Sequence, residues 1–265
     1  MPFSKRSLPE SWLVPRASFP CTALMTSRHF AQDSRFNLAL HVKDDPAHVR
    51  VCRALLAACL PHDCAVPIYV SQVHGTHIHH AQLKDVTSLD QADLIVADGL
   101  ITQTRNLPLV IMTADCLPIV MADQQSRALA IIHAGWRGLA SGIIQKALFE
   151  FKQIGCAPEQ IHIWIGAAIS QERFEVGSDV LAAFLESDQL SDARVNAYFR
   201  AISSDKYLAD LSGLACEILK QSGVPTQQIE CAQICTFENT DFFSHRRDGA
   251  KADVFCGRMA TIAWL

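Results

Sequence analysis

The chain has 265 residues, a formal net charge of -4, 49% apolar residues and 19% charged residues. That length can bury a full core, and the weakly acidic balance gives no electrostatic basis for a nucleic-acid partner. No apolar run reaches the ~20 residues that cross a bilayer. The opening stretch is interrupted by Pro9, Pro15 and Arg16, so we expect no signal peptide, no membrane partner and a cytoplasmic location.

In chain order, Asp45 to Leu60 is expected to be a helix, because it opens Asp-Pro and keeps apolar residues at helical spacing. A strand is expected after Pro67, running through Ile68-Tyr69-Val70 to His74, and a short one from Asp93 to Val96. Leu109 to Thr113 and Leu117 to Met121 are apolar strands separated by Asp115-Cys116. After a polar turn at Asp123 to Arg127 comes a strand from Ala128 to His133, then a helix from about Leu139 to Phe151. Ile161 to Gly166 is a strand. Ser178 to Glu186 and Leu208 to Gly223 are helical, Ile229 to Thr236 is a strand, and Met259 to Trp264 closes the chain as another. Strands interleaved with helices predict an α/β or α+β fold with a mixed sheet. No repeat, linker or charge block marks a boundary, so a single domain over residues 1–265 is expected.

The ten cysteines form no CxxC pair, which argues against a zinc ribbon. Most, including Cys52 and Cys216, are read as reduced thiols used as small hydrophobes.

Three segments carry chemistry: Ser71-Gln72-Val73-His74-Gly75, Thr113-Ala114-Asp115-Cys116-Leu117-Pro118, and His133-Ala134-Gly135-Trp136-Arg137-Gly138. Two imidazoles and a thiolate suit a catalytic zinc, which takes three protein ligands and keeps a fourth position open. Spacing alone does not bring them together: His74 can be an ordinary strand histidine and Cys116 a core thiol. His133, ending an apolar strand before Ala-Gly, is the hardest to explain as packing. The nearby His77, His79 and His80 fall on both faces of a strand and read as a solvated strand end. Gly135 to Gly138 before a helix, with Arg137, can receive an anion or be a plain helix entry. Phe242-Phe243 reads as core. Arg246-Arg247 between acids reads as a solvated ion-pair surface or as a contact to an anionic or ribose-bearing substrate.

Gln-Val-His-Gly, Thr-Ala-Asp-Cys-Leu-Pro and His-Ala-Gly-Trp-Arg-Gly together resemble the YfiH-like laccase-domain family. So do Phe174-Glu175-Val176-Gly177, Phe-Phe-Ser-His-Arg-Arg-Asp-Gly and the closing Gly-Arg-Met-Ala. The resemblance runs from about Trp12 to the C-terminus. It implies an α-β-β-α sandwich with a mixed sheet, and metal ligands at His74, Cys116 and His133. Members have been called multicopper polyphenol oxidases and purine nucleoside phosphorylases with adenosine deaminase activity. The expected enzyme therefore uses Zn2+, with Cu2+ as the alternative, on purine nucleosides and phosphate. Cys116, Asp115 and Glu175 are its catalytic candidates, and Arg137, Gln72, Arg28 and Arg246 lie on the substrate and phosphate side. Two other chemistries share these residues: copper-dependent phenol oxidation, and amide hydrolysis by Cys116 in editing of peptidoglycan precursors. The chain departs from the family pattern in three places. It has no glycine between His29 and Arg35, Gly166 is followed by Ala167, and the link to Gly257 is longer, through Ala250 to Cys256.

Overall fold

The computed structural model describes residues 8–15, 19–86, 88, 93–249 and 255–265. The opening stretch at 1–7 and 16–18 and most of the lengthened link, 250–254, lie outside the described residues.

The strands are β1 Thr22–Met25, β2 Ile78–His80, β3 Gly99–Thr102, β4 Leu109–Thr113, β5 Leu117–Asp123, β6 Leu129–Ala134, β7 Ile161–Ile165, β8 Glu175–Gly177, β9 Phe199–Ala201, β10 Lys206–Ala209, β11 Ile229–Cys231 and β12 Met259–Trp264. The helices are α1 Pro46–Cys59, α2 Trp136–Ala140, α3 Ile143–Gln153, α4 Ser178–Leu185, α5 Asp192–Ala197, α6 Leu211–Gln221 and α7 His245–Asp248.

A six-stranded mixed sheet, ordered β11-β7-β5-β6-β3-β2, faces a three-stranded sheet, β1-β12-β4. Alternate residues explain the layering. Val120, Ile131 and Trp164 of the large sheet pack between the sheets with Leu109, Ile111 and Met259 of the small one. Their neighbours Ile119, Met121, Ile132 and Ile163 turn outward onto α3, α4 and α6. Val110, Met112 and Ile262 turn the other way onto Cys52 and Leu56 of α1. The result is the α-β-β-α sandwich that the family resemblance implied. Strands buried on both faces are apolar at nearly every position, which is why β4 to β6 read as apolar runs broken only at Thr113, Asp123 and His133.

α1 begins where the sequence places it: the Asp45 carboxylate accepts from Ala47 N at 2.9 Å and Pro46 opens the helix. Elsewhere the expectations need correction. The residues after Pro67 form only isolated bridges, Ile68 to Leu109 and Ser71 to Val96, and His74 sits in a turn at φ 60. The helix expected from Leu139 to Phe151 is two, α2 and α3, broken at Gly142 with φ 88. Leu208 belongs to β10, and α6 starts later, at an Asp210 cap that accepts from Gly213 N at 2.8 Å. The strand from Ile229 stops at Cys231. A small sheet, β8-β10-β9, has strands too short for the sequence pattern to declare.

Candidate metal centre

β5 and β6 are antiparallel neighbours, with Leu117 opposite Ala134 and Pro118 opposite His133. The start of one strand and the end of the other therefore meet at one end of the sheet, which sets Cys116 beside His133. β3 lies on the other side of β6, with Gly99 opposite Ile132. This register brings Asp98, the residue before β3, against His133: His133 N donates to Asp98 O at 2.7 Å.

Asp98 then does two things with its buried carboxylate. Oδ1 receives Nδ1 of His133 at 2.8 Å. The same carboxylate accepts the backbone N–H groups of Val73 at 3.1 Å, His74 at 2.9 Å and Gly75 at 2.7 Å. Burial works against its charge, but the bonds from His133 and these amides outweigh that and hold its pKa below the usual carboxylate value. One aspartate thus fixes the His133 ring and folds the turn that presents His74.

The ligand atoms of His74, Cys116 and His133 all lie within 4.8 Å of one another. Cys116 Sγ is 4.0 Å from His74 Nε2, and the two rings stand at 78° with centroids 4.7 Å apart. His133 is buried, Cys116 is half-buried and His74 is exposed, so the cluster opens to solvent on the His74 side. With Nδ1 committed to Asp98, His133 offers Nε2 to the cluster, the usual arrangement of a carboxylate-oriented metal ligand.

Gly135 completes the cradle, since a Cβ there would come within 2.8 Å of His74 Cδ2 and 3.2 Å of Cys116 Sγ. Burial raises the Cys116 pKa, yet hydrogen bonding and charge from His133 and His74 dominate and lower it to about 6. Burial lowers that of His133, but Asp98 and Cys116 raise it to about 9. A thiolate beside two imidazoles, one carboxylate-backed, with one open side, is a donor set that fits a zinc-type ion.

The remaining candidates sit around this centre in different ways. Asp115, at φ 87, commits its carboxylate to the C-terminal segment. It accepts from Thr236 Oγ1 at 2.6 Å, Ser244 Oγ at 3.1 Å and Arg246 N at 2.7 Å, tying the C-terminal segment to the Cys116 turn. Arg246 sends Nη1 to Glu175 O at 2.8 Å and lies 5.2 Å from the Phe174 ring centre. Glu175 has an exposed side chain, 3.5 Å from Lys206 Nζ. Arg137 is exposed and rests over Trp136, with Cζ 4.2 Å from the ring centre. Gln72 pairs its amide with the backbone of Met112, giving and receiving at 2.8 Å. Arg28 donates to Ser34 O at 3.1 Å and stacks on Phe243 at 4.8 Å. Arg247 is bidentate to Asp248 and donates to the carbonyls of Thr236, Phe237 and Phe242, so it braces a loop rather than forming a solvated surface. Phe242 and Phe243 are core, and His79 and His80 pair with Asp85 and Glu150 at a strand end.

Residues 23–265 match the family described as multi-copper polyphenol oxidoreductase laccase, and the chain belongs to that family. It is 38% identical over 234 residues to "Purine nucleoside phosphorylase YfiH" of Escherichia coli (strain K12), covering 86% of each chain. It is 35% identical over 268 residues to the Shigella flexneri protein of the same name, covering 99% of each. Among solved structures it resembles YlmD from Geobacillus stearothermophilus, with TM-score 0.88 and 28% identity, over 98% of this chain and 97% of that one. No helix among the described residues is long and apolar enough to cross a membrane.

Proposed function

We propose that this chain is a zinc-dependent purine nucleoside phosphorylase, acting as one domain in the cytoplasm on adenosine, inosine and methylthioadenosine, with adenosine deamination as a second reaction of the same centre. The observation that carries the reading is the convergence of His74, Cys116 and His133 on one solvent-facing point. The names of the two bacterial relatives supply the substrate class. A bound zinc ion supplies a Lewis acid and can bring the pKa of a bound water to about 7.

The chain's own residues do the rest. In phosphorolysis a phosphate oxygen attacks C1′ of the ribose, the C1′–N9 bond breaks, and the departing purine takes up a proton. Arg137, exposed and steadied by Trp136, is the group that holds phosphate, through its two-pronged guanidinium. Arg246, anchored on Asp115 and on Glu175 O, faces the nucleoside, and Arg28, stacked on Phe243, is the second cation we assign to it. Gln72, its amide spent on Met112, shapes the wall of the site. Asp115 is committed to three donors and acts by positioning Cys116. Glu175, exposed, is the carboxylate we assign to proton transfer.

The test is elemental analysis of the purified protein, then assay of inosine and adenosine with and without phosphate. Purine base and ribose 1-phosphate forming only with phosphate is the expected result. Zinc-loaded protein that turns over neither nucleoside would end this reading.

A second reading has one observation in its favour. Cys116 at a pKa of about 6, next to His133 held by Asp98, is also the arrangement of a thiolate nucleophile with an oriented base. It would give amide hydrolysis, as in editing of peptidoglycan precursors. Stoichiometric zinc on Cys116 in the active protein would rule it out.

A further inference from the structure

A second cluster lies on the far side of the small sheet. His48 and Cys52 are one turn apart on α1, and the loop before it brings up Asp33. His48 Nε2 is 3.0 Å from Asp33 Oδ2 and 3.5 Å from Cys52 Sγ, and Cys52 Sγ is 3.8 Å from the same Asp33 oxygen. Tetrahedral zinc, with bonds of about 2.0–2.1 Å to nitrogen, 2.0–2.2 Å to oxygen and 2.3 Å to sulfur, sets donor separations near ~3.3 Å for N···O and ~3.5 Å for N···S and O···S. The three edges agree with that triangle to within about 0.3 Å. The Cys116 to His74 edge of the main centre, at 4.0 Å, is looser.

The donors are also oriented from behind. His48 Nδ1 is 3.3 Å from Asp44 Oδ2, so Nε2 is the nitrogen left for the cluster, as Asp98 arranges for His133. Asp44, its side chain almost fully buried, is held by Arg35 Nη2 at 2.9 Å and Asn37 Nδ2 at 3.0 Å. Asp33 Oδ1 accepts from Arg35 N at 2.7 Å, which points Oδ2 at His48 and Cys52. Asp33 and His48 each keep 31% side-chain exposure, so an ion and a water ligand can reach the point between them.

We propose that Asp33, His48 and Cys52 form a second metal site, selective for a borderline divalent cation such as zinc and separate from the site at His74, Cys116 and His133. One oxygen, one imidazole and one thiolate are a donor set for zinc rather than for magnesium or calcium. The ion would clasp the 30–36 loop to α1. Burial and the Asp33 carboxylate hold the Cys52 pKa up at about 12, so binding must displace a thiol proton.

Cobalt(II) is the probe, because a cobalt–thiolate bond gives a charge-transfer absorption that oxygen and nitrogen ligands do not. In reduced, metal-free protein carrying Cys116→Ser, the main centre has no thiolate. Titration should then still produce that band, saturating at one cobalt per chain. Cys116→Ser/Cys52→Ser should abolish it, and His48→Gln, at a half-exposed position, should weaken binding at least tenfold. Asp44→Asn should cost about 10–100-fold through loss of ring orientation. In the Cys116→Ser protein, zinc should also raise Tm, and should not once Cys52 is replaced. Absence of the band in Cys116→Ser, or its survival in Cys116→Ser/Cys52→Ser, would overturn the proposal. The cluster would then be an imidazolium held between two carboxylates.

Discussion

The two His-and-Cys clusters use one device to opposite ends. In each, a buried carboxylate takes Nδ1 of a histidine and turns Nε2 toward a cysteine: Asp98 for His133, Asp44 for His48. Around Cys116 the other neighbours are imidazoles, and the thiol pKa falls to about 6. Around Cys52, burial first and then the Asp33 and Asp44 carboxylates push the pKa up to about 12. Ligand identity is therefore a poor guide to acidity; the charge facing the sulfur decides which centre holds a ready thiolate.

The contrast can be broken most completely at Gly135. Gly135→Ala should abolish stoichiometric metal at the main centre, because its Cβ would displace His74 and Cys116. Metal measured on that variant should match His74→Ala, Cys116→Ala and His133→Ala, all with the fold retained by circular dichroism. Full occupancy in Cys116→Ala would remove that residue from the ligand set.

Thiol reactivity sharpens the same comparison. In metal-free protein at pH 7, Cys116 should alkylate roughly 100-fold or more faster than Cys52, once the lower nucleophilicity of an acidic thiolate is allowed for. Peptide mass spectrometry after brief iodoacetamide treatment reads both sites at once. Comparable rates would show that the imidazoles do not stabilise the Cys116 thiolate.

Asp98→Asn keeps the shape of the side chain and removes the charge behind His133. It should weaken zinc binding about 10–100-fold. Zinc competition with a chromophoric chelator measures this, and unchanged affinity would reduce Asp98 to a brace for the His74 turn.

A smaller effect is expected at Arg137. Arg137→Ala should cost phosphorolysis about 1.5–3 kcal/mol in kcat/KM and leave deamination less affected, since phosphate attacks in one reaction and water in the other. Equal losses would place Arg137 on the nucleoside.

The smallest is a flat pH profile. The folded-state pKa of Cys116 falls from 9.0 to about 6, so its contribution to stability rises with pH through that window. That of His133 rises from 6.5 to about 9, so its contribution falls with pH over nearly the same window. The two slopes oppose, because folding moves a proton from thiol to imidazole without net uptake. Denaturation midpoints of metal-free protein should therefore change little from this pair, both between those values and on either side of them, because the folded and unfolded states carry the same number of protons on the two groups in each region. Losing only one slope, as in Cys116→Ser, should tilt the profile.

Much of this was legible in the residues and some was not. β4, β5 and β6 were readable because both faces are buried and all their positions but Thr113, Asp123 and His133 are apolar. α1 was readable because its Asp-Pro entry is local chemistry. His74 was misplaced on a strand, since its turn is made by a carboxylate 24 positions away. Asp98 itself was missed: a single aspartate before Gly99 carries no local signal of the four groups it binds. Cys52 was read as core, which its burial supports, but its contact with Asp33 depends on a loop 19 positions away. Arg247 looked like surface charge and proved to be a clamp on four backbone carbonyls, which no spacing rule encodes.

The measurement closest to the central claim is ribose 1-phosphate formation from inosine by zinc-loaded, copper-free protein, run beside the same preparation of Cys116→Ser. Zinc has no redox chemistry, so phenol oxidation should be absent from the same sample. The account predicts phosphate-dependent product from the parent protein and essentially none from the variant. Turnover of inosine that appears only when copper is restored, or that survives intact without Cys116, would contradict it.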